Sequence, residues 1–279
     1  MPLLRTLALL SALVAGPAAL RAAPVLRVTA IPDVNKDTLR EDQDRLASWL
    51  GKKLGVVVEF QPVENYAAAV TALVNSQADL GWLGGVTAVQ AMRLSGGSVR
   101  PIVTREADRH FKSLVIVRTD LQAHALKDLV GKSFAFGSKS STSGHVMPRY
   151  FLEQQGIIPE KAFSHVAYTG DHTKTVLDVA SGAVDAGAVN YLTFERMIAD
   201  KKVDPTKVTV LWTTPEFVDY AWCARSDVDA RFGSGTLARI TDAFVALDRS
   251  RPEDQPILAV QQADRYVKAQ VEWWDGIGA

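Results

Sequence analysis

Cysteine is almost absent from this chain of 279 residues, which contains Cys223 alone. A single cysteine excludes an intrachain disulfide and any zinc or iron–sulfur site built from clustered cysteines. Positive charge is not in excess either, because 31 Lys and Arg residues balance 31 Asp and Glu residues. Nucleic-acid binding through bulk positive charge is therefore excluded. Cys223 follows Trp222 in an apolar run, and we expect it to be a core residue.

Several catalytic motifs are also missing. The sequence has no Gly-x-x-x-x-Gly-Lys-Ser/Thr loop for nucleotide phosphates and no Gly-x-Ser-x-Gly elbow for a serine nucleophile. Its histidines lack the His-x-x-x-His and His-Glu-x-x-His spacings that place two metal ligands on one helical face. We therefore predict no catalytic residue, no metal site and no cofactor.

A long apolar stretch occurs only at the N-terminus. Residues 1–23 contain Arg5, an apolar stretch over 6–20 and then Arg-Ala-Ala before Pro24, which is the order of a secretory signal. The stretch is shorter than the roughly 18 to 20 residues that span a bilayer, although an uncleaved anchor is the alternative. Cleavage leaves 29 basic and 31 acidic side chains. We expect a soluble, exported protein.

Beyond Pro24 the sequence alternates short β-branched runs with helical patterns, beginning with a strand at Leu26–Ile31. This order favours an α/β fold, because parallel strands are usually connected by helices. The order restarts after residue 126, which predicts two lobes, each a mostly parallel sheet flanked by helices. We assign 24–115 and 220–279 to lobe 1 and 116–219 to lobe 2. Two crossovers, near 116–120 and 216–224, would form a hinge beside a closable cleft.

The most informative segment is a run of four hydroxyl residues between a strand and a helix, formed by Ser140, Ser141, Thr142 and Ser143 and followed by Gly144. Free N–H groups, the helix dipole and hydroxyl donors together favour an anion at a helix N-terminus. Helix capping is the alternative, but one hydroxyl is enough for a cap. We predict that this loop binds an anion.

Two further segments of the second lobe contain polar residues at strand–helix junctions. In the first, Asp171 either caps a helix or faces the ligand together with His172, and the pattern leaves both open. In the second, Asp185 precedes a strand of small residues that ends at Asn190. Ligands of open α/β sheets lie beyond the carboxyl ends of strands, so geometry favours Asn190 over Asp185.

In the first lobe, a buried strand leads into Gly84-Gly85, with Thr87 at the start of a helix. Glycines at such a junction let a ligand approach the backbone N–H groups, although a simple tight turn has the same pattern. Tyr66 begins the preceding helix and could form an aromatic wall or belong to the core.

Taken together, these segments resemble the periplasmic substrate-binding proteins of phosphonate, phosphite and related oxyanion ABC importers. The resemblance extends over nearly all of the mature chain. It rests on five motifs, namely Ala30-Ile31-Pro32-Asp33, Tyr66-Ala67-Ala68-Ala69-Val70, Asp79-Leu80-Gly81-Trp82-Leu83-Gly84-Gly85, Ser140-Ser141-Thr142-Ser143-Gly144 and Val184-Asp185-Ala186-Gly187-Ala188-Val189-Asn190. It implies a two-lobed periplasmic binding protein fold of type II-like architecture that closes on its ligand.

The resemblance also implies roles for individual residues. The hydroxyls of Ser141, Thr142 and Ser143 match the family's oxyanion donors, Tyr66 its aromatic residue and His172 its histidine. Asp185 matches the acid of the Val-Asp-x-Ala element, so the resemblance ranks it ahead of Asn190. The glycine pair, with Gly85, is followed by Val-Thr instead of the proline and tyrosine common in phosphonate binders. In this respect the chain is similar to a subgroup associated with selenate.

The expected function is capture of a small tetrahedral oxyanion, such as phosphonate, phosphite, phosphate, selenate or selenite, for an ABC importer. The expected partners are that ligand and the membrane permease and ATPase of the transporter, with the binding protein a monomer that binds no nucleic acid. Two alternatives belong to other classes, namely an exported enzyme acting on phosphoesters and the binding module of a sensor or chemoreceptor.

Overall fold

The secondary structure follows the predicted alternation of strands and helices. A computed structural model describes residues 24–277, so the signal predicted over 1–23 lies outside the described residues. The strands are β1 (Leu26–Ala30), β2 (Val58–Phe60), β3 (Leu80–Leu83), β4 (Val99–Arg105), β5 (Ser113–Arg118), β6 (Ser133–Phe136), β7 (His165–Tyr168), β8 (Ala186–Asn190), β9 (Val208–Thr213), β10 (Ala221–Arg225) and β11 (Tyr266–Lys268). The α-helices are α1 (Lys36–Leu54), α2 (Tyr66–Val74), α3 (Gly85–Leu94), α4 (Met147–Gln154), α5 (Pro159–Ala162), α6 (His172–Ser181), α7 (Tyr191–Ala199), α8 (Val228–Phe232), α9 (Thr236–Val245) and α10 (Gln255–Val260). None of the helices within 24–277 is both long and apolar enough to cross a membrane.

Two sheets form the centres of two lobes, which confirms the α/β two-lobed fold. The first sheet has the order β11-β4-β10-β3-β1-β2 and the second the order β7-β6-β8-β5-β9. Both sheets are mixed, which corrects the expectation of mostly parallel sheets. β10 is antiparallel to both of its neighbours, and so is β5. Each of these two strands arrives from the other lobe without a helical crossover, so nothing requires it to run parallel to its neighbours.

Helix α1 illustrates how local sequence sets the elements of the first lobe. The Asn35 side chain caps its N-terminus, and Gly55 ends it in the left-handed conformation that glycine adopts at little cost. Leu39, Leu46 and Leu50 recur at helical spacing and are buried against the first sheet. The C-terminal helices α9 and α10 pack into the same core. The second sheet has a hydrophobic core on each of its two faces.

The chain passes between the sheets twice, over residues 106–112 and 214–220. The first passage lies earlier than the predicted 116–120, because β5 belongs entirely to the second sheet. The passages pair with each other, since Phe111 and Phe217 exchange two backbone hydrogen bonds of 2.9 and 3.0 Å. A buried ion pair between Arg105 and Asp108 lies beside them. Two adjacent connecting segments of this kind form a hinge at the base of the interlobe cleft.

Candidate functional site

The predicted hydroxyl loop lies at the interlobe cleft, and the hydroxyls of its last three residues have different environments. Ser141 Oγ accepts the N–H of Gly144 at 2.9 Å and caps a short π-helical turn over Thr142–Val146. Thr142 Oγ1 accepts the N–H of Val86, in the other lobe, at 2.9 Å. Ser143 Oγ is buried and has no hydrogen-bond partner within the described part of the chain. The capping and anion-binding interpretations of this run therefore apply to different residues.

Gly144 allows the loop to pack closely against the next functional residue. A Cβ atom at Gly144 would lie 2.8 Å from both His172 Cε1 and Ser141 Oγ. Such a separation is well below van der Waals contact, so a larger residue would displace the imidazole or the cap. The absence of a side chain at this position thus brings the hydroxyl loop and His172 together.

His172 begins α6 and is fully buried between the lobes. Its backbone N–H donates to the carbonyl of Asp33 in the first lobe at 2.9 Å. The N–H of Asn190 donates to Nδ1 at 3.3 Å, so Nδ1 is the acceptor and the ring proton lies on Nε2. Nε2 is 3.5 Å from the Tyr220 hydroxyl, too far for a strong bond. Burial lowers the pKa of His172 to about 3, so the imidazole is a neutral donor at physiological pH.

Asp219 lies in the second hinge passage and is a functional candidate that sequence reasoning missed. Its Oδ1 accepts the N–H of Gly85 at 2.9 Å, whereas Oδ2 is buried and has no partner among residues 24–277. Burial raises the pKa of Asp219 to about 7, while the hydrogen bond from the Gly85 N–H and, to a smaller extent, the nearby hydroxyls of Ser143 and Thr142 oppose the increase. The carboxyl group can therefore exchange a proton near neutral pH.

Tyr66 and Asp33 are the first-lobe residues at this place. Tyr66, Ser143, His172 and Asp219, with their neighbours Asp33, Asn190 and Tyr220, are called the oxyanion cluster below. Tyr66 begins α2 with its hydroxyl buried and, in the described chain, unpartnered. Burial raises its pKa well above the usual value and the nearby charge of Asp33 adds to this, so the hydroxyl keeps its proton. Burial also raises the pKa of Asp33 to about 6, against the opposing influence of the Tyr220 hydroxyl and of Arg105.

The remaining candidates of the second lobe, Asn190, Asp171 and Ser140, differ in their positions and hydrogen-bond partners. Asn190 is at the cluster, where its Nδ2 donates to the Tyr220 hydroxyl at 3.1 Å and its Oδ1 caps α7. Asp171 takes the capping role that the sequence left open, because its carboxylate accepts the N–H of Lys174 at 2.7 Å. Ser140 is only half-buried, just outside the buried part of the hydroxyl run.

In the first lobe, Gly85 contributes its N–H to the carboxylate of Asp219, at the start of α3. The hydroxyl of Thr87 is buried and donates to the carbonyl of Gly84 at 2.9 Å. It therefore stabilises the first turn of the helix, and its proton is not free for a ligand.

Asp185 is not at the cluster, which corrects its ranking ahead of Asn190. Its carboxylate accepts the N–H and the hydroxyl of Ser133 at 2.9 and 2.8 Å, and Arg118 donates to it at 3.3 Å. Asp185 precedes β8 and Asn190 ends it, so the two lie roughly 16 Å apart at about 3.3 Å per residue. Asp185 therefore bonds the start of β6 and the end of β5, at the end of the sheet opposite the cleft.

The cluster can hold an anion that carries a proton. Tyr66, Ser143 and His172 offer three protein donors without a net positive charge, and Asp219 Oδ2 offers a group that can accept or donate a proton. Hydrogen bonds to a charged acceptor contribute about 1.5–3 kcal/mol each. No group of three or more metal-ligating side chains occurs within 24–277.

Comparisons with known proteins identify the family of the chain. Residues 28–274 match the family model described as the phosphonate periplasmic substrate-binding protein of an ABC transporter. The chain belongs to this family. A probable phosphite-binding ABC transporter protein, PhnD1 of Prochlorococcus marinus, is 36% identical over 91% of this chain and 87% of its own length.

Solved structures extend the comparison. The structure of Prochlorococcus PhnD1 in complex with methylphosphonate has a TM-score of 0.87 and covers 91% of this chain and 96% of that one. A binding-protein component of a phosphonate transporter from Pseudomonas aeruginosa, 20% identical, has a TM-score of 0.81 and covers 92% of this chain and 85% of that one. The second likeness supports the fold alone.

Proposed function

We propose that the protein captures a small, monoprotonated oxyanion of phosphorus, of the phosphite or methylphosphonate class, between its lobes for uptake by an ABC importer. The observation that carries the proposal is that three of the six buried side-chain atoms without a hydrogen bond of normal geometry in residues 24–277, namely Tyr66 OH, Ser143 Oγ and Asp219 Oδ2, belong to this one cluster. Polar atoms that are buried without a partner are rare and costly, so such a set favours a polar ligand.

Asp219 supports a protonated ligand over selenate or sulfate. An ionised carboxylate facing a fully ionised oxyanion would leave two like charges in a buried site, which is unfavourable. A ligand that retains one acidic proton can share it with Asp219 Oδ2, whose carboxyl pKa is raised to about 7 by burial. This argument favours oxyanions of phosphorus over the selenate suggested by the glycine-pair turn. The ligands named for the relatives, phosphite and methylphosphonate, agree with it.

We further propose the division and the partners of the protein. The sheet assignments favour residues 24–105 and 221–277 as lobe 1 and residues 113–213 as lobe 2, joined by the two hinge passages. The family supports a non-enzymatic binding protein in the periplasm that delivers its ligand to a membrane permease driven by an ATPase. We propose that it acts as a monomer after removal of an N-terminal signal.

Calorimetric titration of the mature protein tests the ligand. We expect binding of phosphite and methylphosphonate, and little heat with sulfate or selenate. Selenate binding that exceeds phosphite binding would overturn the assignment to phosphorus, and no heat with any oxyanion would overturn the function. Assaying hydrolysis of a generic phosphoester in parallel tests the enzyme alternative, for which we expect no turnover.

A further inference from the structure

A small cavity adjoins the candidate site. It has a volume of about 50 Å³ and shares Asp33, Asn190 and Tyr220 with the oxyanion cluster. Its first-lobe wall includes Gln43 of α1, and its second-lobe wall includes Arg196 of α7. Because both lobes contribute to its walls, the cavity is complete only when the lobes are in contact.

One wall of this cavity carries a donor whose orientation is fixed. Gln261 Oε1 accepts a hydrogen bond from Trp222 Nε1 at 3.0 Å and another from the Tyr266 hydroxyl at 2.6 Å. These two donors identify the oxygen of the amide, so the other atom is the Nε2 amino group. Nε2 is buried and, within residues 24–277, has no hydrogen-bond partner.

Another wall carries an unpartnered acceptor. Gln43 is only 2% exposed, and its Oε1 has no hydrogen-bond partner in the described chain. Buried amide groups in proteins are almost always hydrogen-bonded, either to protein or to ordered water. An unused donor and an unused acceptor in the walls of one cavity therefore indicate a bound molecule that can both accept and donate.

The charges around the cavity favour a neutral molecule over an ion. Arg105 is paired with Asp108 at 2.6 Å, and Arg196 is paired with Asp42 at 3.2 Å. Asp33, the remaining acid in the wall, is close to the Arg105 guanidinium and the Tyr220 hydroxyl. The volume matches roughly two water molecules, at about 30 Å³ for each in the liquid.

We propose that this cavity is a binding site for about two water molecules, which bond Gln43 Oε1 and Gln261 Nε2 in the first lobe and bridge from them to Arg196 in the second-lobe wall, behind the oxyanion site. Ordered waters of this kind replace direct hydrogen bonds. On the proposed function, on which this step rests, lobe closure brings Arg196 over the waters, and the bridges that the waters then make between the lobes stabilise the closed form. Gln43 therefore prolongs ligand residence although it does not belong to the oxyanion cluster.

A crystal structure at a resolution that shows ordered water tests the site directly. We expect density within hydrogen-bond distance of Gln43 Oε1 and Gln261 Nε2, whichever oxyanion the protein is crystallised with. A dry cavity, or density coordinated as an ion, would overturn the proposal. This outcome does not depend on the identity of the ligand, so it separates failure of the water site from failure of the proposed function.

Kinetics test the consequence for binding. Gln43→Met keeps the length of the side chain and removes its acceptor, and Gln77→Met is the exposed control in the same lobe. With methylphosphonate as the probe, we expect Q43M to dissociate three- to tenfold faster, with Q77M unchanged. If a crystal structure of Q43M lacked the water density and methylphosphonate still dissociated from Q43M at the wild-type rate, the proposed effect on closure would be wrong. Thermal unfolding of Q43M verifies that the fold is retained.

Discussion

The N–H of Val86 in the first lobe donates to Thr142 Oγ1 in the second at 2.9 Å. A hydroxyl that accepts a bond still has its own proton to donate, so Thr142 can bind the opposite lobe and a ligand at the same time. A second bond, from the N–H of His172 to the carbonyl of Asp33, also joins the lobes beside the site. Lobe contact and ligand contact therefore involve the same residues, which couples closure to binding.

Removing the Thr142 hydroxyl tests this coupling. Thr142→Val keeps the shape of the side chain but loses both the bond from Val86 and the donor to the ligand. We expect phosphite affinity to fall at least tenfold, since hydrogen bonds to charged groups contribute about 1.5–3 kcal/mol. Calorimetry measures the loss, and small-angle scattering follows closure. Thr241→Val is the control, because among the described residues the Thr241 hydroxyl bonds the carbonyl of Leu237, within α9. Equal affinities for T142V and T241V would contradict the coupling.

Replacing Ser141 and Ser143 one at a time should separate helix capping from ligand binding. Ser143 Oγ has no protein partner within the described residues, so Ser143→Ala should weaken phosphite binding about tenfold or more and leave the melting temperature unchanged. Ser141 Oγ caps the turn through Gly144, so Ser141→Ala should lower the free energy of unfolding by about 1 kcal/mol. Calorimetry and denaturant unfolding measure the two effects. A normal affinity in S143A would place the anion elsewhere.

Local sequence predicts part of the site because some positions have an unambiguous chemical signature. The hydroxyl run of Ser141, Thr142 and Ser143 follows a strand and precedes a helix, and the structure places all three at the interlobe cleft. His172 could be located by the same strand–helix logic. Local order along a strand also explains why Asn190, at its carboxyl end, lies at the cluster.

Asp219 could not be found in this way because its role depends on tertiary structure. It lies in an irregular hinge passage with no flanking motif, and its partner Gly85 is 134 positions away in sequence. The sheet directions were missed for a related reason, since the antiparallel insertion of β5 and β10 follows from how the chain crosses between lobes. Resemblance placed the acid at Asp185, but the carboxylate beside the hydroxyl loop belongs to Asp219.

Replacing Asp185 distinguishes these two acids. Asp185→Ala removes the bonds from Ser133 and the ion pair with Arg118, so we expect the free energy of unfolding to fall by about 1–3 kcal/mol. Affinity for phosphite should remain within a factor of two, because the carboxylate is remote from the cleft. Denaturant unfolding and calorimetry on the same preparation measure both. A large loss of affinity at unchanged stability would return Asp185 to the site.

The close approach at Gly144 makes a further prediction. In Gly144→Ala the new methyl group would meet the His172 ring and the Ser141 hydroxyl at 2.8 Å, so the imidazole and the cap must shift from their positions at the site. We expect at least a tenfold loss of phosphite affinity together with a lower melting temperature. Gly276→Ala is the matched control, because nothing lies within 4 Å of a Cβ there. Normal binding by G144A would show that the ring position is not required.

The pH dependence of binding tests Asp219. Burial raises its pKa to about 7, so between about pH 4 and 7 the folded protein holds a proton that the unfolded chain releases. This group therefore makes the ligand-free protein less stable as pH rises through that window. It also makes binding weaken above pH 7, because the carboxyl and the ligand together lose the one proton they share.

Asp219→Asn removes this ionisation while retaining an acceptor for the Gly85 N–H. In wild type we expect the dissociation constant for methylphosphonate to rise with pH between 7 and 9, approaching about tenfold per unit for one released proton. In D219N this rise should be shallower. Between about pH 4 and 7, the free energy of unfolding of D219N should increase relative to that of wild type, because only wild type loses the stabilising proton there. His172 contributes no step in that range, because its pKa of about 3 leaves the imidazole neutral throughout. If the dissociation constants of wild type and D219N rose with pH at the same rate, the shared proton would belong to another group. Asp33, whose pKa is raised to about 6 by burial, would then be the next residue to replace.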